Sequence, residues 1–183
     1  MRIGLMRLAS AFMGLFLWGT GTLSYSEPSG VELLLQCEAS AGTTQFRITL
    51  RNTGPTNTQI VLGINFGNGA RYDADSFVLD VKRDDNSAIE RYHPGHGQMN
   101  GQARPWFVQV PAMSAFSFLL PINGFHSLAG GESLKAGGYA VRLHWASTKP
   151  WFGRETATVN DRNLFTGELT TEWLRVPDQC QAD

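Results

Sequence analysis

The feature that most limits what this chain can fold into is apolar alternation with a period of two residues. It recurs in short runs along most of the length. Val31, Leu33, Leu35 and Cys37 alternate with Glu32, Leu34, Gln36 and Glu38, and Phe46, Ile48 and Leu50 alternate with Arg47, Thr49 and Arg51. Ile60, Leu62, Ile64 and Phe66 form a third run, and Phe77, Leu79 and Val81 a fourth. Phe116, Phe118 and Leu120 follow, then Tyr139, Val141, Leu143 and Trp145, and a last run lies within Glu168–Val176. Successive side chains of a strand point to opposite faces, so each run buries one face and wets the other. Turn-forming clusters stand between the runs, at Asn52–Pro55, Gly67–Ala70, Asp84–Ser87, Gly130–Glu132 and Gly137–Gly138. No window carries an apolar stripe at helical spacing, and at most Ser127–Lys135 holds a turn of helix. Seven to nine short strands punctuated in this way predict an all-β antiparallel sandwich.

The first 26 residues do not share the pattern. Arg2 and Arg7 give a basic start, Leu8–Trp18 is an apolar run with Ser10 its only polar member, and Gly19–Ser26 is small and polar. That order predicts a secretory signal peptide over 1–26, with Ser24 and Ser26 at the positions a signal peptidase reads. The run falls short of the roughly 20 apolar residues that span a bilayer as a helix. No stable membrane anchor is expected after cleavage, and residues 27–183 read as a single domain without repeat or linker. The expected location is the periplasm or the outside of a bacterial cell.

Export bears on the cysteines. Cys37 and Cys180 are the only two, and both lie beyond the signal segment. An even count in an oxidising compartment predicts a disulfide tying the first strand to the C-terminal tail. A C-x-x-C pair does not occur, so redox exchange has no motif to rest on. Charge narrows the partners. With 15 Lys and Arg against 16 Asp and Glu, the net charge is −1, which argues against a nucleic-acid binder.

Several stretches resemble a known family. Arg51-Asn52-Thr53-Gly54, then Phe66, Gly69, Tyr72 and Asp73 within Asn65–Glu90, and Ala136-Gly137-Gly138-Tyr139 are similar to the turn and strand motifs of BsuPI-type proteinase-inhibitor domains. The resemblance covers about residues 45–146. It implies a bacterial Ig-like sandwich and, as one possible activity, proteinase inhibition. Asn86 stands where the family's turn carries Gly, and Asn tolerates the same left-handed geometry.

Few residues carry chemistry. There is no Gly-x-Ser-x-Gly and no Gly-x-x-x-x-Gly-Lys, so neither a hydrolase elbow nor a phosphate loop is present as a motif. Asp73, Asp75, Asp84 and Asp85 read as turn-capping carboxylates. His93 and His96 are three residues apart and could face one metal ion, with Asp73, Asp75 or His126 as a third ligand. His144 alternates with Leu143 and Trp145, which places its imidazole on the wet face. Trp106-Phe107 and Trp151-Phe152 are aromatic pairs near loops. The segment Lys149-Pro150-Trp151-Phe152-Gly153-Arg154 combines Trp and Arg, frequent hot-spot types, with a stiffening Pro. Lys149, Trp151, Phe152 and Arg154 are therefore the expected partner-binding residues. The expectation is an exported, non-catalytic binding module of the bacterial envelope, with no cofactor and a protein partner that could be a protease. The alternatives are a BsuPI-type proteinase inhibitor, and a metal-binding protein or metal-dependent enzyme using His93 and His96.

Overall fold

Alternating residues become strands, and the strands number more than the runs announce. The computed structural model describes residues 30–40, 43–66, 69–72, 76–83, 87–95, 104–135, 137–147 and 163–176. The expected signal segment, His96, Cys180 and the segment Lys149–Arg154 lie outside the described residues. Among those described, twelve strands form: β1 (Val31–Ser40), β2 (Thr43–Asn52), β3 (Thr58–Phe66), β4 (Gly69–Tyr72), β5 (Phe77–Lys82), β6 (Glu90–Pro94), β7 (Arg104–Val110), β8 (Ser114–Pro121), β9 (Phe125–Ser127), β10 (Tyr139–Ser147), β11 (Gly167–Thr170) and β12 (Leu174–Val176). The expectation of seven to nine is thus too low. The last run divides into β11 and β12, and β4, β6, β7 and β9 are short or contain Pro. The helical turn expected within Ser127–Lys135 does not form, and a 3-10 turn lies just before it at Ile122–Gly124.

The strands pair antiparallel in three sheets, ordered β1-β2-β8, β4-β3-β7 and β11-β10-β5-β6-β9, with β12 also paired to β10. Register follows the apolar pattern. Leu33 faces Leu50 and Leu35 faces Ile48 across β1 and β2. Val81 faces Val141 and Leu79 faces Leu143 across β5 and β10. A one-residue slip would turn every one of these side chains outward, so burial locks the pairing.

One apolar core joins the sheets. Phe46, Ile48, Leu50, Ile60, Phe77, Leu79, Val81, Val141, Leu143 and Trp145 are fully buried within it. Aromatic rings make the junction. Tyr72 of β4 stacks on Phe118 of β8 and meets Phe77 of β5 edge-on, with centroids 5.1 and 5.5 Å apart. Burial among these rings pushes the Tyr72 phenol up to about 12. Trp106, of the first aromatic pair, sits half-buried on β7 against Tyr72.

Asn52 fixes the turn that leaves β2. It is buried, and its amide N–H groups serve the carbonyls of Thr56, Val110 and Pro111 at 2.7–3.1 Å. Its Oδ1 accepts the Gly54 N–H at 2.9 Å. An apolar residue of the same size would strand these groups, and each buried orphan costs about 1–3 kcal/mol.

Candidate functional site

The outer face of the sheet built on β5 and β10 holds the densest polar constellation among the described residues. Phe77, Leu79 and Val81 of β5 point into the core, so Val78, Asp80 and Lys82 point away from it. On β10 the same parity places Ala140, Arg142, His144 and Ala146 outward, beside Asp80 and Val78 in register.

Asp80 is the hub, with its side chain only 2% exposed. Arg142 donates to its Oδ2 at 2.9 Å, and His144 Nε2 lies 2.8 Å from the same oxygen. Arg91 of β6, the register partner of Asp80, approaches Oδ1 at 3.5 Å. Burial by itself would raise the carboxyl. The hydrogen bonds from Arg142 and His144, with their charges, outweigh it and hold Asp80 below the ordinary carboxylate value. The other imidazole nitrogen of His144, Nδ1, lies 3.0 Å from Thr170 Oγ1 on β11.

A carboxylate, an imidazole and a hydroxyl in line are the groups that activate nucleophiles in acyl transfer. Here the carboxylate already faces two guanidinium groups. Arg142 and Arg91 share the two oxygens of Asp80 with His144, so the carboxylate is already held by cations of its own sheet. The arrangement suits orienting the face better than moving protons.

Trp173 completes the row. Between β11 and β12 the chain breaks at Thr171, whose Oγ1 accepts the Leu143 N–H and whose N–H donates to the Leu143 carbonyl, both at 3.0 Å. That clamp sets Trp173 over the Arg142 guanidinium, 4.7 Å from its ring centroid.

Trp173 also borders a groove. Val31–Gln36 of β1 form one wall, and Leu169, Thr170, Glu172, Trp173 and Leu174 form the other. The groove holds about 850 Å³. Among the described residues β1 pairs with β2 alone, so the groove runs along its other edge. Leu34 and Trp173 are exposed there.

The expected site residues fare differently. Lys149, Trp151, Phe152 and Arg154 lie outside the described residues, and so do His96, Asp73 and Asp75. The stretch His93–Arg104, polar and rich in Gly, reads as a loop in the sequence, but His93 does not stand in a loop. It is a β6 residue directly across from His126 of β9. Its Nδ1 lies 2.9 Å from the Pro94 carbonyl, and His126 Nδ1 lies 3.2 Å from that of Gly131. No group of three His, Cys, Asp or Glu placed to hold a metal occurs among the described residues. His144 lies on the wet face as its alternation predicts, but between Asp80 and Thr170 rather than loose in solvent. Asp80 and Trp173 escaped the sequence reading. The one available signal was a lone Asp in an apolar strand, whose inward neighbours predict burial of its stem. Cys37 packs, half-buried, against the core.

No protein-family model matches the chain, and no curated protein matches it.

Proposed function

We propose that the chain is an exported, non-catalytic binding module of the bacterial envelope, an Ig-like β-sandwich of the BsuPI kind with Cys37 and Cys180 joined. Its partner is a protein that lays an extended segment along β1. The observation that carries this reading is the groove between β1 and the β11–β12 segment. A sheet edge presents alternating N–H and C=O groups, and a partner strand that pairs with them gains main-chain hydrogen bonds while side-chain pockets select its sequence. Leu34 and Trp173 supply the apolar contacts that make such a site specific.

Site-specific photo-crosslinking in secreting cells tests it. A photoreactive residue at Leu34 should trap a protein, and the same residue at Ser117 on β8 should not. Trp173→Ala should weaken trapping at position 34. Equal trapping at both positions, or none at 34, would remove the reading.

A further inference from the structure

The outer face of the β5–β10 sheet carries a second, independent signature. Register collects four cations on it. Asp80 contacts Arg142 and Arg91, so all three share the face. Lys82 lies two residues beyond Asp80, and Arg175 of β12 stands across from Ala140, which Lys82 also faces. Of the carboxylates on the face, Asp80 is buried beneath its partners, and Glu168 stands at the end beside Ala146. Lys82, Arg91, Arg142 and Arg175 therefore give a local positive surplus on a chain whose net charge is −1. His93, His126 and His144 lie on the same face by register.

The rim of the face is apolar. Leu128 follows β9, donates its backbone N–H to the Arg91 carbonyl, and is 54% exposed. Ile89 directly precedes β6 and is 50% exposed, and Trp173 at the opposite side is 39% exposed. Across the sheet the order is Leu128, Arg91, Asp80, Arg142, Trp173. Cations occupy the middle and large apolar side chains flank them.

A soluble acidic partner would account for the cations alone. An anionic bilayer accounts for both parts, because its phosphates lie in a plane above an apolar layer. Surface Lys and Arg are drawn to such a plane, and Trp and aliphatic side chains settle at the headgroup boundary. We propose that this face docks peripherally on a bilayer rich in anionic phospholipid, with Lys82, Arg91, Arg142 and Arg175 meeting headgroup phosphates and Leu128, Ile89 and Trp173 entering the interfacial zone. The proposal shares Trp173 with the β1 groove but rests on the cations of this face and on Leu128 and Ile89, which do not line that groove.

Vesicle co-sedimentation tests it, using protein purified after export so that the apolar segment Leu8–Trp18 is not carried along. Vesicles of equal parts phosphatidylglycerol and phosphatidylcholine should pellet the protein, and pure phosphatidylcholine should not. Raising salt should release it. Lys82→Glu with Arg175→Glu should weaken binding tenfold or more, and the milder Lys82→Gln with Arg175→Gln should weaken it several-fold. Arg142 and Arg91 are left intact because both hold Asp80. Leu128→Ser with Ile89→Ser should weaken vesicle binding several-fold without changing the melting temperature. Failure to bind anionic vesicles would overturn the proposal. Equal binding to soluble polyglutamate, untouched by the Leu128 and Ile89 changes, would overturn it in favour of an acidic polymer.

Discussion

Asp80 shows how one residue organises a surface. A carboxylate withdrawn from water costs free energy unless it is paired, and this one is paired with two guanidinium groups and an imidazole. Its lowered pKa fixes the sign of a pH effect. A depressed carboxyl contributes stability that is complete above its ordinary value of 3.8 and is lost as pH falls through the lowered one. Asp80→Asn should therefore cost about 1–3 kcal/mol at neutral pH. The gap from the wild type should close in strongly acidic solution. Urea unfolding across that range measures it, and a gap independent of pH would contradict the assignment. The wet-face position of His144 was legible from Leu143 and Trp145 on either side. Its partner was not, because only the register between β5 and β10 brings Asp80 to it, and register is a long-range property.

Elements with strict alternation and β-branched or aromatic residues, such as β2, β5, β8 and β10, were legible in the sequence. Those that were not share physical reasons. Pro105 interrupts the pattern of β7, and Pro in a sheet signals an edge, which is where β7 lies. The dipeptide His93-Pro94 precedes a Gly-rich stretch, and that composition masks β6. β4 begins at Gly69, inside a cluster that reads as a turn. The β6–β9 pair also explains Gly95. A Cβ at this position would lie 2.5 Å from the His126 ring, and the Gly95 N–H donates to the Gly124 carbonyl at 2.8 Å. Gly95→Ala must push the imidazole aside. It should lower the melting temperature and shift the His126 ring resonances, whereas Gly130→Ala, where nothing lies within 4 Å, should do neither. Equal effects at the two glycines would show that the close approach is not what selects Gly95.

At the scale of the whole molecule, the amphipathic strands and the turn clusters between them made an all-β fold legible, and the fold appears as three antiparallel sheets around one core. The functional surfaces were not legible in the same way. The binding residues expected in Lys149–Arg154 were chosen for composition, whereas both surfaces proposed here arise from juxtaposition: β1 beside β11–β12, and cations from β5, β6, β10 and β12 on one face. The central claim is that β1 offers an open edge. In an antiparallel edge strand, alternate amides point toward the paired neighbour and the others point outward. Residue-resolved hydrogen exchange on the free protein measures this directly. The account predicts slow and fast exchange alternating from Glu32 to Gln36, with the fast set slowed by the partner segment. Uniform protection along β1 in the free protein would contradict it, because the edge would then already be covered.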